Sequence, residues 1–230
     1  MSEDHARPEP GPTLASQIAH ELKNPLMGIK GLAATGNRLY DSLSDGERRE
    51  LFQLIDEESD RLDRLVERAY LLLELEAGNI TYVIMAGPLE PIAQEAAEGH
   101  DRVKLEVQAG VSALYDPVWT KAVFAELIEN AERFSPSDSP IEVRVGADGD
   151  GRVGVEVTSE GPGLWPEDLE RAFDPFTTVR PSGYEDVRGA GIGLYLARAH
   201  VTAQGGTMRM ETRPDRGTIL AFTLPGEGDR

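Results

Sequence analysis

The sequence predicts two domains of different class, a helical hairpin that becomes a four-helix bundle with a second copy and, after it, an α/β sandwich. Three observations predict this. The apolar residues Ile18, Leu22, Pro25, Ile29, Leu32, Gly36, Leu39 and Leu43 step alternately by four and three, the seam of a packed helix. A second stripe runs through Leu51, Ile55, Leu62, Leu65, Ala69 and Leu72, widened by Leu54, Val66 and Leu73. From Ile80 the pattern changes to short alternating runs, as in Val103–Val107, Ile141–Val145 and Val153–Val157, which are half-buried strands.

In chain order, residues 1–12 are polar, contain Pro8, Pro10 and Pro12, and are expected to be a disordered tail. Residues 13–78 form the hairpin. Thr13 is an N-cap, the first helix runs from Leu14 to Leu43, and Ser44 and Glu47 have the spacing of a capping box for the second, which stops near Gly78. A single hairpin has too thin a core to stand alone, so two chains are expected to share one bundle. Residues 79–225 form the second domain, with further strands at Thr207–Thr212 and Thr218–Leu224 joined by a turn at Pro214–Gly217. Its helices are expected at Pro117–Phe134, Pro166–Ala172 and Gly193–Gln204, packed on one face of one sheet. The segment Thr177–Gly191 is polar and rich in glycine, a mobile loop by composition, and residues 226–230 are a tail.

Composition narrows the function. With 23 basic and 41 acidic residues the formal charge is −18, which argues against nucleic acid and anionic lipid as partners. The chain has no cysteine, which excludes disulfides, thiol catalysis and thiolate metal sites. No apolar run approaches the roughly 20 residues needed to span a bilayer, so no membrane insertion and a cytoplasmic location are expected.

The stretch His20-Glu21-Leu22-Lys23-Asn24-Pro25 carries chemistry. At about 100° per residue His20 lies opposite the apolar seam and faces water. An exposed imidazole is a phosphoacceptor when a neighbour takes its second proton, which Glu21 is placed to do. Lys23 is suited to a phosphoryl oxygen, and Asn24, one turn on, to orienting a water. Pro25 costs about 3 kcal/mol inside a helix, an expensive choice for a purely structural residue. Taken alone, an exposed histidine beside an ordinary kink explains the stretch equally well.

Beyond Ile80, four further motifs follow in order. Glu126, Asn130 and Arg133 are spaced four and three apart and share a helix face ending at Phe134. Asn130 offers a hard amide oxygen suited to Mg²⁺, and Glu126 is either a metal or water ligand or a solvated carboxylate. Ser159-Glu160-Gly161-Pro162-Gly163 is a glycine turn after a strand; Phe173-Asp174-Pro175-Phe176 precedes the polar loop. Gly189-Ala190-Gly191-Ile192-Gly193-Leu194 opens a helix whose backbone N–H groups favour phosphate. Arg180 and Arg188 in the loop are forked donors for a terminal phosphate or surface ion-pair partners, and Thr218 is a weaker phosphate-side candidate.

From about Thr13 to Leu224 these motifs resemble the core of sensor histidine kinases, a dimerisation and phosphotransfer hairpin followed by an ATP-binding domain shared with gyrase-type, chaperone-type and mismatch-repair ATPases. The resemblance implies that His20 is phosphorylated from Mg-ATP, Glu21 is the general base, and the phosphoryl group passes to an aspartate of a response regulator. It further implies that Asn24 helps hydrolyse the partner's acyl phosphate, that the chain is a homodimer through its hairpin, and that a separate sensor protein, a tail or a region outside this sequence supplies the input. In the family pattern an aspartate that accepts from the adenine amino group stands where this chain has Ser159. Exchanging a charge-assisted bond of about 1.5–3 kcal/mol for a neutral one of about 1 weakens binding around tenfold. Two other expectations stay open beside the kinase: a phosphotransfer or scaffold dimer with a degenerate ATP domain, raised by Ser159, and ATP hydrolysis with Glu126 as base.

Overall fold

The computed structural model describes residues 13–181, 183–185, 187, 189–213 and 217–228. The chain divides into two compact units, one up to Leu73 and one from Glu74.

The first unit is the hairpin. Helix α1 (Leu14–Leu39) is capped by Thr13, whose hydroxyl accepts from Ser16 N, and it continues through Pro25. It is shorter than the periodicity predicts. A 3₁₀ turn at Tyr40–Ser42 replaces its last turn, because the Ser42 hydroxyl donates to Leu39 O at 2.8 Å and the Arg48 guanidinium donates to Tyr40 O at 2.7 and 3.1 Å. Arg48 thereby takes the Tyr40 carbonyl that another helical turn would have used, while Leu39 O accepts from both the Ser42 hydroxyl and Leu43 N. Helix α2 (Asp45–Glu76) opens on the expected capping box, with Ser44 N donating to Glu47 Oε2 at 2.7 Å and Glu47 N to the Ser44 hydroxyl at 3.3 Å. The Ser44 hydroxyl and, after it, the Ser44 backbone N–H, both donating to the Glu47 carboxylate, hold that carboxyl below its ordinary range. The helix ends in a Schellman motif, Asn79 N to Glu74 O and Gly78 N to Leu75 O.

Leu65, Ala69, Leu72, Pro25 and Gly36 are buried along the facing seam. Leu39 and the widening residues Leu54, Val66 and Leu73 are instead exposed, together with Met27, Phe52 and Tyr70. The stripe is therefore wider than one hairpin covers.

The second unit is a layered α/β domain. Its elements are β1 (Met85–Pro88), α3 (Glu90–Ala97), β2 (Val103–Val107), β3 (Ser112–Tyr115), α4 (Pro117–Arg133), β4 (Ile141–Asp148), β5 (Arg152–Ser159), α5 (Pro166–Leu169), α6 (Gly193–Ala203), β6 (Thr207–Arg213) and β7 (Gly217–Pro225). Five strands form a sheet in the order β2-β4-β5-β7-β6, antiparallel except for the β2–β4 pair. Alternation sends Ile141, Val143, Val155, Val157, Leu220 and Phe222 to one face, where they pack on Phe124, Leu127, Ile128, Ala197 and Val201 of α4 and α6. The opposite face is a lattice of paired charges: Arg144 with Glu106 and Glu142, Arg209 with Glu156 and Glu211.

The helix predicted at Pro166–Ala172 is a single α-turn, α5, followed by a 3₁₀ turn at Arg171–Phe173. Strands β1 and β3 pair antiparallel in a second small sheet that the sequence did not announce. That sheet also captures residues expected to be a tail, since Gly226 bridges to Ala113 and Glu227 N donates to Ser112 O. The expected tail at 1–12 and most of the Pro214–Gly217 turn lie outside the described residues.

Candidate phosphotransfer and nucleotide sites

His20 occupies the second turn of α1 on the face away from the seam, and its side chain is 75% exposed. Its Nδ1 lies 3.6 Å from Glu21 Oε1. That separation is too long for a hydrogen bond but short enough for the carboxylate to favour a proton on Nδ1, which leaves Nε2 with its lone pair toward water. Lys23 and Asn24 are both exposed, Asn24 one turn beyond His20. Pro25, having no N–H, leaves the carbonyl of Glu21 without its helical donor.

In the second unit, α4 and α6 bring most of the glycine-turn residues to one end of the sheet. Asn130 is half-buried, and its side-chain amide is hydrogen-bonded to none of the described residues. Arg133 lies 3.7 Å from Glu129, and its Nη1 is 3.5 Å from the point a β-carbon on Gly189 would occupy. Gly193 opens α6 directly against the Glu126 carboxylate, and any side chain there would collide with it. A carboxylate against the first turn of a helix is favourably placed in its dipole. A β-carbon on Gly161 would collide with Phe134 O and stand 3.8 Å from the Thr218 hydroxyl, so the glycine turn, the end of α4 and β7 meet in one corner. The Phe134 ring rests against Tyr184 with centroids 6.0 Å apart.

Register fixes the floor of that corner. Ser159 pairs with Ile141 on one side and Thr218 on the other, and Thr218 pairs with Thr212, so the four form a row on the helix-facing side. The Thr212 hydroxyl is used, accepting from Leu164 N at 3.0 Å and donating to Leu164 O at 3.1 Å. Gly163 packs against Thr212.

Two of the phosphate-side candidates have side-chain atoms committed within the protein. Leu194 turns its side chain into the core, so only its backbone is available to a ligand. Arg180 spends its Nε on Val187 O at 2.8 Å, within its own loop. Arg188 lies outside the described residues. Phe173 is buried as the loop's anchor, whereas Phe176 takes a left-handed backbone conformation (φ 59°), and its N–H donates to Gly191 O at 2.9 Å, tying the two ends of the loop together.

Two clusters had no sequence signal. Arg102 donates to Ser139 O, Pro136 O and the hydroxyls of Ser135 and Ser139, pinning the connection that follows Phe134. At the other end of α4, Asp116 is 4% exposed and accepts from Val118 N, Trp119 N and Val83 N. Gln204 accepts from Asp116 N and the Thr120 hydroxyl and donates to His200 O. His200 Nδ1 is 2.8 Å from the Tyr82 hydroxyl, and its ring stacks on Trp119 at 4.2 Å. Burial pushes the His200 imidazole down to about 4, with the nearby Asp116 carboxylate working in the opposite direction. Tyr82 and Val83 are thus fastened to the ends of α4 and α6. A histidine 118 residues from its partner leaves no local pattern to read.

Residues 13–78 match the family described as the His Kinase A (phospho-acceptor) domain, and residues 115–228 match the Histidine kinase-, DNA gyrase B-, and HSP90-like ATPase family. The chain is similar to the sensor histidine kinase ZraS of Klebsiella oxytoca, 31% identical over 223 residues that make up 94% of this chain and 46% of the relative. The chain therefore spans less than half of that protein. Among solved structures it resembles histidine kinase ThkA in complex with response regulator protein TrrA, with a TM-score of 0.71, 22% identity, and coverage of 94% of this chain and 62% of that one. It also resembles full-length ShkA in complex with AMPPNP, with a TM-score of 0.60, 22% identity, and coverage of 93% and 45%.

Proposed function

The chain belongs to the histidine kinase family, and from that premise we propose that it phosphorylates His20 from Mg-ATP and passes the phosphoryl group to an aspartate on a response-regulator receiver domain. The observation that carries this is the geometry at His20: an exposed imidazole with Nδ1 turned toward the Glu21 carboxylate. Nε2 attacks the γ-phosphorus, the N–P bond forms, the bond to the β–γ bridging oxygen breaks, and the nucleoside diphosphate leaves. The Nδ1 proton of the resulting imidazolium goes to Glu21, and Lys23 balances charge on the incoming oxygens. Transfer onward reverses the N–P bond in favour of a carboxylate oxygen of the receiver, and Asn24 orients a water for hydrolysis of that acyl phosphate.

The corner formed by Asn130, Arg133, Phe134, Ser159, Gly161 and Thr218 is the nucleotide pocket in this reading, with the Gly189–Gly193 turn on its phosphate side. Asn130 and Glu126 would hold Mg²⁺, whose role when bound is to neutralise charge between the phosphates. Among the described residues no group of three acidic or histidine side chains forms a ready-made metal cage. That suits an ion arriving with the polyphosphate. The AMPPNP bound by ShkA and the regulator bound by ThkA support the same assignment by analogy. The exposed apolar side of the hairpin supports dimerisation, with two copies completing the bundle.

Incubation with labelled ATP and Mg²⁺ is expected to give an acid-labile, base-stable phosphoprotein that His20→Ala abolishes; equal labelling of the two proteins would overturn the assignment. One observation favours a second reading, the neutral Ser159 in place of a carboxylate. Calorimetry that detects no nucleotide binding at millimolar concentration would leave a phosphotransfer or scaffold dimer.

A further inference from the structure

The corner beside Gly161 presents hydroxyls where a base-reading pocket of this type is expected to present a charge. Ser159 is only 6% exposed, and its hydroxyl is hydrogen-bonded to no described residue. Among the described residues no buried side-chain oxygen or nitrogen is sealed in without a partner, so this hydroxyl still reaches open space. Its cross-strand neighbour Thr218 likewise makes no side-chain hydrogen bond within the described chain, while Thr212, the third in the row, is consumed by Leu164. Ile141 on the other flank is apolar and fully buried. The floor is therefore two adjacent, neutral and unspent hydroxyls, and the row contains no carboxylate.

A hydroxyl donates and accepts, whereas a carboxylate only accepts. A 6-aminopurine offers a donor at its exocyclic nitrogen beside an acceptor at N1; a 6-oxopurine offers an acceptor at O6 beside a donor at N1. A carboxylate held opposite the 6-position accepts from the exocyclic nitrogen of the first and repels O6 of the second, pairing with the latter only if the base shifts to present its N1–H. A hydroxyl pair satisfies either by rotating its two O–H bonds. Resting on the nucleotide-pocket reading above, we propose that Ser159 and Thr218 make this site accept 6-amino and 6-oxo purine nucleotides alike, so that GTP serves beside ATP. The site gives up the extra strength of a charged acceptor, a factor of about ten, and with it the discrimination that charge would impose.

The test is calorimetric titration of the full chain with ADP, GDP and CDP in the presence of Mg²⁺, repeated on Ser159→Asp and Ser159→Ala. Wild type is expected to bind ADP and GDP within tenfold of each other and CDP more weakly than both. Ser159→Asp is expected to raise the ADP-to-GDP preference at least tenfold, and Ser159→Ala, the milder change should the buried carboxylate prevent folding, to weaken both purines together. A wild-type preference for ADP above tenfold overturns the proposal, as does an unchanged ratio in folded Ser159→Asp, a selective loss of one purine in Ser159→Ala, or CDP binding equal to the purines. Failure to bind any of the three overturns the nucleotide-pocket reading as well, which distinguishes the two failures.

Discussion

An imidazole nitrogen attacks phosphorus only while its lone pair is free, and a carboxylate 3.6 Å from Nδ1 biases the remaining proton onto the nitrogen that does not attack. Removing that charge while keeping the shape isolates the effect. Glu21→Gln is expected to lower the rate of His20 phosphorylation about 100-fold, the ordinary weight of a general base, with nucleotide affinity unchanged. Initial rates of label incorporation set beside calorimetric binding check this, and a parallel loss of affinity would place Glu21 elsewhere in the mechanism. The exposure of His20 was legible because helical phase is a local property: the apolar seam of α1 fixes which face is wet. The burial of the Leu194 side chain was not legible, for the converse reason. A glycine turn marks where a backbone approaches a ligand, but which neighbouring side chain turns into the core is decided by Phe173, Ala197 and the sheet beneath, none of which the motif contains.

Among the elements, α6 joins two parts of the second unit: its first residue abuts Glu126, and its last turns hold His200 and Gln204 against Tyr82 and Asp116. The His200 ring is neutral in that setting, because burial lowers it from 6.5 to about 4. The unfolded chain takes up the proton first as pH falls, so the network's contribution is complete above pH 6.5 and is lost progressively down to about pH 4. Denaturant unfolding is expected to show a constant advantage of wild type over His200→Phe at neutral pH and a shrinking one across that acid window. Parallel curves throughout would mean that the imidazole does not carry the pH dependence. The long strands and both hairpin helices were legible from periodicity and caps. Strands β1 and β3, four residues each, were not, because Met85-Ala86-Gly87-Pro88 alternates nothing and acquires its structure only by pairing Met85 with Tyr115. The same long-range pairing draws in Gly226 and Glu227, which composition alone assigns to a tail.

At the scale of the whole molecule, the hairpin's uncovered apolar stripe meets a formal charge of −18. If Phe52, Val66, Tyr70 and Leu73 pack against a second copy, as proposed, the driving force is apolar area, at roughly 25 cal/mol per Å² removed from water, and salt does not screen it. Mutual repulsion between two acidic chains is screened, over about 10 Å at 0.1 M salt and about 30 Å at 0.01 M. The two terms predict opposite salt responses, which makes the balance measurable. A dimer built on this stripe tightens as ionic strength rises, whereas one held by complementary charges loosens. Sedimentation equilibrium from about 0.01 to 0.3 M salt is expected to show a falling dissociation constant. Val66→Glu, at a position 49% exposed in the single chain, should fold normally, shift the population to monomer and leave nucleotide binding in the second unit intact. A wild-type dissociation constant that rises with salt, or a Val66→Glu chain that remains dimeric, would move the interface away from the hairpin stripe.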